Sequence, residues 1–215
     1  MTNVLVNWYN FHEDWAREQL GELFCDKRAL VLPLSFRDVQ AWDDESWQKL
    51  FGKCGEKRDV IETPLRSLGV ASVDWLNFFT ADRQSAAKAV AQADVLFFTG
   101  GLPEKTVERL ETLGLTDAVK NFCGIVVGAS AGAMFQLDEY HITPDDDYAE
   151  FGMWRGLGLL GGFDVEVHYQ ATRLQKECIA KAKALHGKPI YALWHQGGLL
   201  VEGGVVQTLG KVEKF

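Results

Sequence analysis

The sequence predicts one α/β domain over residues 1–215, with a mostly parallel central sheet covered by helices on both faces. Two observations carry this expectation. Strand-like apolar runs alternate with helix-periodic segments along nearly the whole chain, the pattern of a parallel sheet flanked on two sides. No repeat, linker or low-complexity stretch divides the chain, and 215 residues suffice for one sizeable core.

The elements follow in order. Val4-Leu5-Val6 opens as a strand, and Asp14 to Phe24 is a helix with Trp15, Gln19, Leu20, Leu23 and Phe24 spaced for one face. Ala29 to Leu34 is a second strand ending near Pro33, and Asp43 or Asp44 caps a helix carrying Trp47, Leu50 and Phe51. Lys53 to Pro64, with mixed charges beside Gly52 and Gly55, reads as a helix end plus loop. A strand lies within Val70 to Phe79. An alanine-rich helix follows from near Asp82 to Ala93, and then the strand Asp94 to Phe98. Pro103 suits a first helical position, Val107, Leu110 and Leu113 form a stripe, and Gly114 ends it. The apolar run Gly124 to Val127 leads into small residues and a helix start at Ala131, after which Asp138 to Glu150 reads as an acidic loop. Phe163 to Tyr169 is strand-like. Ala171 to His186 is helical, with Leu174, Cys178, Ile179, Ala182 and Leu185 on one face and Gly187 and Pro189 as stops. Ile190 to Trp194 is another strand, and Leu199 to Leu209 a hairpin around Gly203-Gly204.

Composition narrows the function classes. Apolar residues make up 47% of the chain and charged ones 24%, as in globular proteins, and the net charge of -8 argues against nucleic acid or an anionic membrane as partner. No charged n-region with an apolar h-region opens the chain, so no signal peptide is expected, and no apolar run approaches the roughly 18 residues of a membrane span. Cys25, Cys54, Cys123 and Cys178 lack C-x-x-C spacing, so neither zinc nor a redox dithiol is expected, and a reduced, cytoplasmic protein is the default. Cys123 and Cys178 read as buried small residues, and most of the seven tryptophans as core.

Chemistry concentrates at Gly128-Ala129-Ser130-Ala131-Gly132, a G-x-S-x-G of the nucleophile-elbow form set between a strand and a helix start. Such a corner exposes a serine hydroxyl, and the helix N-terminus behind it favours developing negative charge. Ser130 is therefore a candidate nucleophile, and it needs a base. His168 ends the strand Phe163 to Val167, on the sheet edge where open α/β sheets place their sites, and His195, ending Ile190 to Trp194, competes with it. His186 suits a helix C-terminus and His12 the surface, while His141, in the acidic loop, is a weak candidate. The Ala131 N–H and a glycine amide of Gly100-Gly101 are candidate oxyanion donors.

Phe97-Phe98-Thr99-Gly100-Gly101, Gly128 to Ala133, Gly156-Leu157-Gly158-Leu159-Leu160 and His168-Tyr169, in this order, resemble the dipeptidase E family of serine peptidases, which includes aspartyl dipeptidases and, more distantly, cyanophycinases. The resemblance runs from about Asp94 to Glu202. It implies a three-layer, flavodoxin-like α/β fold similar to class I glutamine amidotransferases. It also implies Ser130 as nucleophile, His168 as general base, Gly101 and Ala131 as oxyanion donors, short peptide substrates, and no metal or other cofactor. Leu102 stands where the family usually has Asn, and His195 where it tends to carry an acid. The third catalytic member is therefore open among His195, Asp164, Glu166 and Asp145. A monomer or homodimer hydrolysing dipeptides or similar small amides is the leading expectation. A ligand-binding protein with little catalysis, and an α/β-hydrolase esterase using Ser130, Asp164 and His195, are the alternatives.

Overall fold

The computed structural model describes residues 1–215. From the N-terminus the elements are β1 (Thr2–Val6), α1 (Asp14–Phe24), β2 (Arg28–Leu32), α2 (Asp44–Phe51), α3 (Arg58–Ser67), β3 (Ser72–Trp75), α4 (Arg83–Gln92) and β4 (Val95–Phe98). There follow α5 (Pro103–Thr112), α6 (Thr116–Lys120), β5 (Ile125–Ala129), α7 (Ala131–Met134), β6 (Glu139–Ile142) and β7 (Gly152–Arg155). The chain closes with β8 (Asp164–Glu166), α8 (Arg173–His186), β9 (Ile190–Glu202) and β10 (Val205–Lys214).

The main sheet runs β10-β9-β1-β5-β4-β2-β3, with β8 also pairing on β9. From β1 through β5, β4 and β2 to β3 every pairing is parallel, whereas β9 is antiparallel to both β1 and β10. Alternate strand residues feed opposite cores. Val31, Phe97 and Val127 pack with Leu20 and Phe24 of α1 and Ile61 and Leu65 of α3, while Leu32, Phe98 and Val126 pack with Val90 of α4 and Leu110 of α5. This is the three-layer architecture expected. Capping boxes at Asp43–Ser46, Asp82–Ser85 and Thr172–Gln175 start α2, α4 and α8, each cap contributing about 1 kcal/mol.

Several local expectations need correction. The segment read as a loop up to Pro64 contains α3, because Ile61, Leu65 and Leu68 form a buried i, i+4, i+7 stripe that outweighs Pro64 inside the helix. α6 follows Gly114 almost at once, a short helix the sequence reading lacked. The acidic loop contains β6, which with β7 forms a separate two-stranded sheet, and the helix after Ser130 is a single turn. Leu174 and Leu185 of α8 are exposed, as is Cys123, and of the seven tryptophans only Trp47 is fully buried. β9 does not stop at Trp194 but runs on to Glu202, since Gly198 to Glu202 pair with both neighbours and Gly197 with β10. His195 therefore lies in mid-strand.

Candidate active site

β5 sits in the middle of the sheet, and its C-terminal end turns abruptly into α7. Ser130 occupies that turn with φ 54° and ψ -114°, a strained conformation for a residue bearing a Cβ. Close packing requires the flanking glycines: a Cβ on Gly128 would lie 1.8 Å from the Gly132 carbonyl oxygen, and one on Gly132 would lie 2.2 Å from that of Phe98. The Ser130 amide donates to the Val6 carbonyl (2.9 Å), and its own carbonyl accepts from Ala133 (2.8 Å) and Met134 (3.1 Å). The backbone is thus fixed and the hydroxyl projects freely.

That hydroxyl meets His168. Ser130 Oγ and His168 Nε2 are 2.8 Å apart. Just past β8, His168 also has positive φ, 53°, held by its N–H donating to Asn7 Oδ1 (2.5 Å) and by Gln175 Nε2 donating to its carbonyl (3.0 Å). The Trp8 indole packs edge-on against its ring at 5.6 Å between centroids. Partial burial lowers the His168 pKa, the nearby His195 lowers it further, and Asp145 and then Glu166 pull it back up.

The Gly100-Gly101 turn after β4 lines the same cavity as Ser130 and His168, about 620 Å³ in volume. The Tyr9 hydroxyl accepts the Gly100 N–H (2.7 Å), and burial pushes its pKa up to about 12 despite that bond. Ser35 fastens the other side, its hydroxyl contacting the Thr99 and Gly100 carbonyls and its own carbonyl accepting from Leu102 (2.7 Å). Gly101 has φ 141° and no room for a side chain, a Cβ meeting the Ser35 oxygen at 2.2 Å. The N–H groups of Gly101 and Ala131 are left without a hydrogen-bond acceptor in the protein. Asn7, Tyr9 and Ser35 escaped the sequence reading. Asn7 directly follows β1 and Ser35 lies three residues past β2, and this position at a strand's carboxyl end is the one signal that could have found them.

The four candidates for a third member stand apart from the His168 ring, none hydrogen-bonding to it. Asp164 receives His141 Nδ1 (2.6 Å), His186 Nε2 (3.2 Å) and the N–H of Val165 (2.7 Å). Glu166 accepts from Thr143 Oγ1 (2.8 Å) and lies 2.8 Å from His141 Nε2. Asp145 turns Oδ1 to the N–H groups of Asp147 (2.8 Å) and Tyr148 (3.0 Å), leaving Oδ2 free on a loop that lines the cavity. His195 is exposed, its ring 6.3 Å from the indole of Trp8. An esterase triad of Ser130, Asp164 and His195 is not what the fold brings together: Ser130 contacts His168, and Asp164 is committed to His141. No three His, Cys, Asp or Glu side chains are grouped to hold a metal ion, and no helix is long and apolar enough to cross a membrane.

His141 has a further consequence. Burial opposes its charge, but Asp164 and Glu166 outweigh that and raise its pKa to about 9. The unfolded value is about 6.5, so the stability this proton contributes is complete below pH about 6.5 and is lost as pH rises through 9. Urea unfolding at pH 6 and pH 10 is expected to show a loss on the order of 3 kcal/mol, and His141→Gln to abolish most of that difference.

Comparison with known proteins bears on the fold and the family. A crystal structure from Listeria monocytogenes EGD-e, named "a Putative Peptidase E Protein", superposes with a TM-score of 0.69 at 18% identity, covering 98% of both chains. A peptidase from an acI-B1 Actinobacterium gives 0.59 at 15% identity, covering 100% of this chain and 93% of the other. At such identities the likeness is one of fold. No curated protein sequence matches. The model of Peptidase family S51 matches residues 56–209, which include Gly101, Ser130 and His168, and the chain belongs to that family of dipeptidase E-type serine peptidases.

Proposed function

We propose that the protein is a metal-independent serine peptidase hydrolysing dipeptides or similarly small amides through an acyl-enzyme on Ser130. The observation that carries this reading is the 2.8 Å contact between Ser130 Oγ and His168 Nε2 at a serine held at positive φ. Ser130 Oγ attacks the scissile carbonyl carbon while His168 Nε2 takes its proton. The oxyanion is stabilised by the free N–H groups of Gly101 and Ala131, a donor of this kind contributing about 10²–10³-fold in rate. His168 then gives the proton to the departing amine. It next takes one from water, whose oxygen attacks the acyl ester, and returning that proton to Oγ releases the acid and restores the serine.

Asp145 is the carboxylate that steadies the imidazolium. Asp164 and Glu166 are ion-paired with His141, whereas Asp145 is in no ion pair and is the charge that most favours protonated His168. His195 acts in the opposite sense, because a second cation disfavours the first. The cavity volume, about 620 Å³, supports a substrate of a few residues at most.

A fluorophosphonate probe is expected to label the protein stoichiometrically at Ser130, and Ser130→Ala to lose both labelling and hydrolysis across a dipeptide panel. Unlabelled wild-type protein would instead favour a binding protein with little catalysis, the reading to which the unpartnered His168 Nδ1 gives weight. Full peptide hydrolysis by Ser130→Ala would overturn the assignment of the nucleophile.

A further inference from the structure

The hydrolytic steps leave one buried charged group at the cavity wall unused. The His141 side chain is wholly buried, as is that of Asp164, and Glu166 is nearly so. Core ion pairs of this kind are costly to desolvate and are weak evidence for stability as such. Their position in the chain gives this one its meaning. His141 lies on β6 and Thr143 just beyond it, two residues before Asp145. Asp164 and Glu166 lie on β8, and Glu166 stands two residues before His168.

No backbone ladder joins these segments, since β6 pairs with β7 and β8 with β9. Side chains tie them instead. His141 Nδ1 reaches Asp164 (2.6 Å), His141 Nε2 reaches Glu166 (2.8 Å), and Thr143 Oγ1 donates to Glu166 Oε2 (2.8 Å). The His141 N–H adds a bond to Asp164 Oδ2 (3.2 Å). From α8, His186 holds Asp164, Cys178 is buried, and Lys181 lies over the Phe151 ring that faces His141. Among these ionisable neighbours, only Asp164 and Glu166 ion-pair directly with the His141 ring.

We propose that His141, with Thr143, is a positioning residue for the peptidase reaction: it locks the loop carrying Asp145 to the strand that leads into His168 and so sets the spacing of acid and base. The inference rests on the serine-peptidase reading above. Neither residue touches the reacting atoms. Their effect passes through His168 and Asp145, where an error of about 1 Å can cost 10²-fold in rate.

Thr143→Val removes one tie and no charge, so it tests the brace with little risk to folding. It is expected to lower kcat about tenfold while KM stays within about twofold, and Thr143→Ser, which keeps the hydroxyl, to restore most of the loss. His141→Gln is expected to lower kcat further. In a Ser130→Ala background, NMR titration of the His168 ring reads the same spacing without any turnover. Thr143→Val should move the midpoint down, because Asp145 drifts from the imidazolium it favours. Unchanged kcat and an unchanged His168 titration in both variants, with only the melting temperature reduced, would overturn the proposal. If the parent neither cleaves peptides nor reacts with the probe, the peptidase reading fails. The titration then still reports whether the brace sets the His168 environment.

Discussion

His168→Gln is expected to lower kcat for any cleaved peptide by about 10⁶-fold, the scale seen when a serine hydrolase loses its base. No other base hydrogen-bonds to Ser130 Oγ: His168 Nε2 stands at 2.8 Å, while the ring of His195 packs against Trp8. Stability should change little, because the side chain is exposed on one side and the backbone bonds to Asn7 and Gln175 survive the substitution. The pH profile of the parent gives a second check. His168 must be neutral to accept a proton, and burial lowers its pKa, so the acid limb of kcat/KM should lie below the usual histidine value of about 6.5. Asp145→Asn removes the strongest charge favouring imidazolium and should move that limb lower still while reducing kcat. An acid limb that shifts upward on Asp145→Asn would remove Asp145 from the site.

What the sequence made legible was local. Ser130 and its glycines form a strand–turn–helix within a few residues, Gly100-Gly101 closes β4, and the Asp82 and Thr172 caps announce their helices. What it concealed was non-local or compensated. β6 escaped because its acidic surroundings read as solvated, although Tyr140, His141 and Ile142 are buried and the polar member is paired across to β8. His195 looked terminal because Gln196-Gly197-Gly198 resembles a break, yet those residues lie within β9, where Gly197 and Gly198 pair with β10 and Gly198 also with β1. Asn7 and Tyr9 act on residues more than 90 positions away, and no periodicity encodes such a contact. The third catalytic member stayed open for the same reason: until His141 is seen to occupy Asp164 and Glu166, four candidates are equivalent.

Gly128→Ala is expected to be the most damaging single-methyl change near the site, lowering stability by about 1–3 kcal/mol and kcat/KM by at least about 10²-fold. The new Cβ would stand 1.8 Å from the Gly132 oxygen, 2.1 Å from its carbonyl carbon and 2.6 Å from the Ala133 nitrogen. All three are backbone atoms, so no rotamer change relieves the clash. The turn itself must move, and the Ser130 φ of 54° is a property of that turn. Gly132 cannot retreat freely either, because its own Cα packs toward the Phe98 carbonyl on β4. The strain therefore passes into the step that presents Oγ to His168. Gly21→Ala supplies the control: it lies inside α1 with nothing within 4 Å of the new Cβ, and alanine there should stabilise by roughly 0.5–1 kcal/mol without touching activity. Thermal unfolding and kcat/KM measured on both variants separate the cases. If Gly128→Ala kept parental activity and melting temperature, the serine corner would be a tolerant small-residue turn rather than a strained one.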